Sequence, residues 1–417
     1  MNPILSFFVW TAICISLYFS VFWLLVFIEG DVQTRQRTTK LKRFPYISVV
    51  VPAFNEETHI TETLHSLLNL DYPKKRLEII VVDDGSTDRT AEMVQSIARK
   101  FSDRKIKLIR KVNGGKGSAL NAGLKKAKGE LFVCMDADSI VLPDALRKAL
   151  IHFEPDVAAV LPLLKVKNPK AVVQKMQWFE YLINMFYKKL LSKLNCIHVA
   201  PGPFSVYRTA VLKEVGGFDE HNLTEDLEMT LRLQSKNYRI VQLDNTSVYT
   251  ISPHSFKEFY KQRNRWYKGT LLNLAKYKHM IFNSKYGDFG LFQLPSVLLT
   301  GVVALILFSS FVWDKLKPSF DFLYRLKFVN FDFMTLLRDF HFEIKFLDLD
   351  IRWLFTFAIV MTLAIFILIK SHQLTKERIK PKSTIPLLIY LFGYYALLTI
   401  VWITVLFELA IGRRQRW

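Results

Sequence analysis

Apolar side chains are distributed along this chain in two different ways. Segments 4–28, 289–312, 351–369 and 384–411 are apolar on every face, whereas 45–285 carries short apolar runs separated by polar turns. At about 1.5 Å rise per residue the first segment is long enough to cross a hydrocarbon core roughly 30 Å thick, and it holds no charge. All four segments are predicted to be transmembrane helices. Arg352 heads the third and Glu408 lies near the end of the fourth, close enough for both charges to reach the interface. Within 45–285, β-branched runs at 47–51, 77–82, 106–109, 131–135 and 157–161 predict strands. Patterns at 58–70, 90–101, 118–127 and 143–153 predict helices between them. This alternation predicts an α/β domain with a mostly parallel sheet of nucleotide-binding type, whose ligands sit outside the carboxyl ends of the strands.

A further helix is predicted at 256–277. Phe256, Phe259, Tyr260, Trp266, Tyr267, Thr270, Leu271, Leu274 and Tyr277 recur at helical spacing, with Lys257, Lys261, Arg265, Lys268 and Lys276 on the remaining positions. Such a helix is expected to lie in the membrane interface. The predicted organisation is an anchor helix at 1–30, a basic linker at 31–44, a domain at 45–254, the interfacial helix at 255–285 and a membrane region at 286–417, with no internal repeat.

Charge sets the expected orientation. Met1-Asn2-Pro3 is uncharged and Glu29-Gly30-Asp31 follows the first apolar run, so an uncleaved anchor is expected rather than a signal peptide. Arg35, Arg37, Lys40, Lys42 and Arg43 come next, which by the positive-inside rule puts the 45–254 domain in the cytoplasm. Segment 371–383, with Lys376, Arg378, Lys380 and Lys382, reads as a cytoplasmic loop, and 314–350 as an external one. Four crossings would then leave Arg413, Arg414 and Arg416 outside, unless 314–350 holds a half-crossing or the last segment lies in the interface. The number of crossings stays open.

The 417 residues carry 57 Lys+Arg against 37 Asp+Glu, a net charge of +20, with 51% hydrophobic residues. That apolar fraction excludes a disordered or fibrous chain. The basic excess gathers beside the membrane segments, where anionic headgroups account for it, so nucleic acid is not expected as a partner. Cys14, Cys134 and Cys196 have neither disulfide-framework nor zinc-ligand spacing.

Chemistry-bearing residues fall where the strands end. Val51-Pro52-Ala53-Phe54-Asn55-Glu56-Glu57 has none of the glycines a dinucleotide turn needs. Pro52 and Phe54 can wall a base while Glu56 accepts a hydrogen bond, or the segment is a plain turn with a helix cap. In Val82-Asp83-Asp84-Gly85-Ser86-Thr87-Asp88, two adjacent carboxylates call for partners such as a nucleoside hydroxyl, and Asp88 is expected to cap the next helix. Asn113-Gly114-Gly115-Lys116-Gly117-Ser118 opens a helix, and its backbone N–H groups and lysine form a candidate diphosphate site. Asp136-Ala137-Asp138 follows a strand, where alternation along extended chain would turn both carboxylates to one side to share a divalent ion. Leu223-Thr224-Glu225-Asp226-Leu227 heads a helical run to Ser235, and its acids are either dipole complements or a general base.

These motifs, in this order and ending in Gln262-Arg263-Asn264-Arg265-Trp266, resemble the membrane-bound family 2 glycosyltransferases, which include synthases of poly-N-acetylglucosamine, hyaluronan, chitin and cellulose. The resemblance covers 47–266 and the flanking membrane segments. It implies a nucleotide-sugar-binding, GT-A-type Rossmann-like α/β domain with flanking transmembrane helices. By position, it implies that Asp83 or Asp84 contacts the nucleoside, Lys116 the diphosphate, and Asp136 and Asp138 a bound Mg²⁺ or Mn²⁺ with the diphosphate, Asp138 more directly. Asp226 would be the catalytic base beside Glu225, Arg265 would pair with phosphate, and Gln262 and Trp266 would close over donor and acceptor. The implied activity is inverting transfer from a UDP-sugar to a growing polysaccharide, or to a lipid, with accessory subunits left open. A non-catalytic scaffold of the same fold is the alternative from another class. Pro201-Gly202-Pro203-Phe204 stands where these synthases often have a small-residue acceptor loop, and its two prolines depart from that pattern.

Overall fold

The computed structural model describes residues 3–33, 43–328, 351–377 and 383–412. A 31-residue helix, α1 (Pro3–Gln33), leads into strands β1 (Ile47–Ala53), β2 (Leu77–Asp83), β3 (Lys105–Arg110) and β4 (Leu131–Cys134). Helices α2 (Ile60–Leu68), α3 (Thr90–Lys100) and α4 (Lys116–Lys126) alternate with them. Each predicted strand and helix of this half is present, with ends shifted by a few residues. Val50, Ile80 and Phe132 bury one face of these strands, while Ile47, Val49, Val51, Ile79, Val81 and Val133 bury the other. That is the period-two consequence of an extended chain covered on both sides. Burying each such side chain contributes about 1.5–3 kcal/mol. At the sheet's β3 edge the pattern changes, and exposed Lys105, Lys107 and Arg110 discourage pairing with another chain.

The second half departs from the simple alternation. Strands β5 (Ile140–Val141), β6 (Val157–Val166), β7 (Ser205–Arg208) and β8 (Arg239–Thr250) complete an eight-stranded sheet ordered β3-β2-β1-β4-β7-β6-β8-β5. β7 is antiparallel to both β4 and β6, and β5 is antiparallel to β8. The sheet is therefore mixed, with its nucleotide-binding half parallel as expected. The chain leaves β6 through α6 (Val172–Lys193), which the pattern did not predict, and returns as β7 between β4 and β6. Helices α5 (Ala145–Leu150), α7 (Thr209–Glu214), α8 (Glu225–Ser235) and α9 (Phe256–Lys276) complete the layer.

Beyond α9 come α10 (Leu294–Phe328), α11 (Ile351–Thr375), α12 (Thr384–Ile389) and α13 (Tyr395–Ala410), with π-helical turns at Phe289–Gln293 and Tyr390–Tyr394. Four stretches, Ser6–Glu29, Phe289–Ser310, Leu354–Thr375 and Thr384–Ala410, are long and apolar enough to cross a membrane. Two loop expectations change. α10 continues through the start of the predicted external loop, and α11 continues to Thr375, past the predicted start of the basic loop. Arg35, Arg37, Lys40, Lys42, Arg378, Lys380, Lys382 and the arginines at 413, 414 and 416 lie outside the described residues, as does 329–350.

α6 joins the sheet to the membrane-length helices. Phe186 meets Phe27 of α1 at 5.6 Å, and Trp178 meets His372 of α11 at 5.5 Å. α9 is amphipathic, but not with the predicted faces. Lys268 is buried 3.3 Å from Glu408 of α13, while Phe256 and Tyr260 are exposed. A buried lysine needs a paired charge, and α13 supplies one on the face where Arg263, Asn264 and Lys268 gather.

Candidate active site

Strand register brings the motifs to one edge. Ala53 is level with Asp83, Asp83 with Arg110, and Val50 with Cys134, so the segments that follow β1, β2 and β4 emerge side by side. Asp83 is fully buried and accepts hydrogen bonds from the Ser86 N–H (2.9 Å) and Arg110 Nε (3.2 Å). Asp84 accepts from Lys111 Nζ (2.6 Å) and from the Gly114 and Gly115 N–H groups (3.1 and 2.7 Å). The two glycine N–H groups of the candidate diphosphate site are therefore engaged by Asp84, whereas the Lys116 side chain is not bound by it. Gly115 has φ +86 at the helix cap, a backbone region that favours glycine. Asp88 does not simply cap α3. It precedes the cap residue Arg89 and ties the Thr90 N–H (3.0 Å) to the Glu57 N–H (3.0 Å), joining the two strand-end turns. Phe54 is half exposed at this edge and Pro52 half-buried.

Lys116 is the hub of the central site. Its amine lies 2.6 Å from Asp136 Oδ1 and 3.4 Å from Glu225 Oε1. Burial alone would drive it towards the neutral form, but the fields of Asp136 and Glu225 outweigh burial and hold its proton well above the ordinary lysine range. Asp136-Ala137-Asp138 is a turn closed by the Ser139 N–H on the Asp136 carbonyl (3.2 Å) rather than extended chain. The expected mechanism of alignment is corrected, yet both carboxylates line the same cavity. Burial and the Asp136 charge push the Asp138 carboxyl up. Glu56 is pushed up to about 7 by burial and by the charges of Asp138, Asp136 and Asp88. Mutually repelling carboxylates with hard oxygen donors, and one lysine to balance them, fit a divalent cation. Among the described residues no third His, Cys, Asp or Glu completes a metal cluster.

Glu225 and Asp226 open α8. Glu225 is buried, and burial and neighbouring Asp226 raise its carboxyl against the pull of Lys116. Asp226 accepts the Leu227 N–H (2.8 Å) and also lines the cavity. α9 crosses close by, because Gly269 has no side chain to meet Thr224. Gln262, Arg265 and Trp266 therefore reach the cavity, and the buried Gln262 Oε1 has no hydrogen-bond partner among the described residues. Arg263 covers the Trp266 ring at 4.3 Å.

The cavity encloses about 510 Å³. Lys116, Asp136, Asp138, Glu225, Asp226, Gln262, Arg265 and Trp266 line it, whereas Pro52, Phe54, Glu56, Asp83 and Asp84 lie outside along the strand edge. Sequence reasoning missed its far wall, which includes Tyr181 and Lys188 of α6, and His198. The helical spacing of Phe179, Leu182, Met185 and Phe186 was the available signal for α6.

The sequence profile described as Glycosyltransferase like family 2 matches residues 45–269. The chain belongs to this family. A relative in Bacillus subtilis called "Probable glycosyltransferase YdaM" is 31% identical over 59% of this chain and 60% of its own. A poly-beta-1,6-N-acetyl-D-glucosamine synthase of Staphylococcus epidermidis is 30% identical over 61% of this chain and 63% of its own. The chain thus spans about three-fifths of the length of these relatives. Among solved structures, the mannosyltransferase PcManGT of Pyrobaculum calidifontis, in complex with GDP-Man and Mn²⁺, superposes with a TM-score of 0.59 at 23% identity, covering 73% of this chain and 82% of that one. The family 2 chain described here therefore has the GT-A fold.

One consequence concerns Gly202, where a Cβ would run into the Lys116 amine and the Asp136 carboxylate. Gly202→Ala is expected to displace the Lys116 amine from Asp136 and lower glycosyl transfer roughly tenfold or more, since small misplacement of a group at a site has effects of that size. Initial rates on purified membranes at saturating and limiting donor check this. An unchanged rate would show that transfer tolerates a displaced Lys116.

Proposed function

We propose that this protein is an inverting membrane glycosyltransferase. It moves a sugar of N-acetylglucosamine or glucose type from a UDP-sugar to a growing β-linked polysaccharide and passes that chain through the membrane, with its catalytic domain cytoplasmic. The observation that carries this reading is one cavity among the described residues that is lined both by Lys116, Asp138 and Asp226 and by Tyr187 and His198. Its far end lies beside membrane-length helices: Tyr187 meets Trp23 of α1 at 5.8 Å, and His198 meets Gln293 at 3.0 Å. The named polysaccharide synthase among the relatives supports the choice of sugar.

In this reading the strand-end residues Pro52, Phe54, Glu56 and Asp83 hold the nucleoside, while Asp84 holds the glycine turn in place. Lys116 and Arg265 pair with the diphosphate. Asp136 and Asp138 would hold Mg²⁺ or Mn²⁺, whose charge would offset that of the departing nucleoside diphosphate. Asp226 takes the proton of the acceptor hydroxyl as its oxygen attacks the anomeric carbon from the face opposite the leaving group. Glu225 keeps Lys116 charged and in place. Trp266 offers an apolar face on which the acceptor sugar stacks.

A second reading, transfer to a lipid, draws on Lys188. This lysine is pushed down to about 8 by burial, against the pull of Asp226, and makes no ion pair among the described residues, so a lipid phosphate would suit it. Trp266→Ala separates the two readings. With a polymer acceptor it shortens or abolishes the chain while hydrolysis of donor to UDP and free sugar partly survives. A single chloroform-soluble product of constant size, at all conversions and in both parent and variant, would replace the first reading with the second.

A further inference from the structure

The Gln262–Trp266 segment contains an arginine that the proposed chemistry leaves without a role. Arg263 is 2% exposed, and its guanidinium lies over Trp266 at 4.3 Å and over Phe259 at 5.1 Å. A guanidinium at that depth requires a paired charge. Glu180 of α6 provides it, accepting from Arg263 Nη2. The same oxygen, Glu180 Oε2, accepts the Tyr394 hydroxyl at 2.7 Å. Tyr394 ends the π-helical turn of the last membrane-length segment, a rare irregularity that often marks functional positions. Tyr390 and Tyr394 of this turn are buried against Phe179 of α6 (5.9 Å) and Phe259 of α9 (5.7 Å).

We propose that Glu180 is a positioning residue: it joins the last membrane segment, through Tyr394, to Arg263, and thereby fixes the Trp266 ring on the acceptor side of the cavity. The inference rests on the reading of Trp266 as the acceptor platform. One face of the indole is covered by Arg263, so the rest of the ring is what the cavity receives. Losing the Glu180 charge leaves Arg263 buried without a paired charge, and the guanidinium then shifts towards whatever polar group it can reach, carrying away the cover on Trp266. The helix itself stays docked by contacts that do not involve Glu180. Tyr267 stacks on Trp402 at 4.7 Å, and Lys268 and Asn264 both reach Glu408 at 3.3 Å. The coupling therefore concerns the placement of one ring rather than attachment of α9. It also gives the membrane segment a way to affect acceptor retention without touching the donor.

Glu180→Gln keeps the shape of the side chain while removing its charge. With the full chain in membranes, the ratio of donor hydrolysis to glycosyl transfer is expected to rise roughly tenfold or more, because small misplacement of a positioning group has effects of that size. UDP affinity, measured separately, should stay at the parental value. Tyr394→Phe, which removes one hydroxyl and serves if the charge change impairs folding, should move the ratio in the same direction by less. The decisive comparison is the double variant with Trp266→Ala. If Glu180 acts through Trp266, the double variant matches Trp266→Ala alone to within about twofold. Multiplying effects, or equal losses of UDP binding and transfer, would overturn the proposal and leave Glu180 a packing residue. A Trp266→Ala enzyme with parental product length and hydrolysis would instead overturn the platform reading, whatever Glu180→Gln does, so the two failures are distinguishable.

Discussion

Asp226→Asn lowers kcat by about 10²-fold or more and leaves UDP affinity nearly unchanged, because the lost interaction belongs to the transition state. The geometry makes this a specific expectation. Asp226 stands at the mouth of α8 on the cavity wall, with its one described hydrogen bond to the Leu227 N–H, so its carboxylate retains lone pairs for an acceptor hydroxyl. Glu225 is the comparison one residue away. It is buried and 3.4 Å from Lys116, so Glu225→Gln should weaken donor binding more than turnover. Isothermal titration with UDP, followed by steady-state kinetics on the same preparations, resolves the two. Equal loss of UDP binding and turnover in Asp226→Asn would assign Asp226 to the donor side instead of the acceptor side.

Much of this arrangement is legible in the chain because its signals are local. The strands that end at Ala53 and Asp83 are built on the β-branched runs Val49–Val51 and Ile79–Val82, and the residues after them had to emerge at one sheet edge once the alternation was parallel. What local pattern hides are polar residues whose partners are distant. α6 places Gln174 and Gln177 in the core, where they donate to the carbonyls of Ser252 and Pro253. β8 buries Gln242, which donates to the carbonyls of Leu161 and Pro162. Both elements look too polar for the core until those carbonyls are known. The same reason explains α9, where Lys268 reads as a solvated position because Glu408 is 140 residues away. The glycine turn at Gly114 and Gly115 read as an open anion site because its chemistry was right. Asp84, one strand-end earlier, already held both N–H groups.

Chelation is expected to abolish transfer, and Asp138→Asn to lower it by about 10²-fold or more, with Mg²⁺ or Mn²⁺ restoring the chelated parent enzyme. The argument is one of charge balance. Asp136, Asp138, Glu225 and Asp226 line a cavity that also holds Lys116, Lys188, Arg263 and Arg265, and a nucleoside diphosphate would add further negative charge to it. Burial and the Asp136 charge push the Asp138 carboxyl up, and burial with the charges of Asp138, Asp136 and Asp88 pushes Glu56 up to about 7. Asp136 and Asp138 would hold a divalent ion whose charge would offset that of the diphosphate, so ion and donor are expected to bind cooperatively. Linkage then gives a test that does not depend on turnover. In the presence of Mn²⁺ the parent should bind UDP more tightly than Asp138→Asn. In excess chelator the parent should lose that advantage, because without the ion the Asp138 charge repels the diphosphate and the neutral amide does not. A parent enzyme with the same UDP affinity and full turnover in chelator would show that Asp136 and Asp138 serve the fold or the sugar hydroxyls, and that Lys116 and Arg265 alone carry the leaving group.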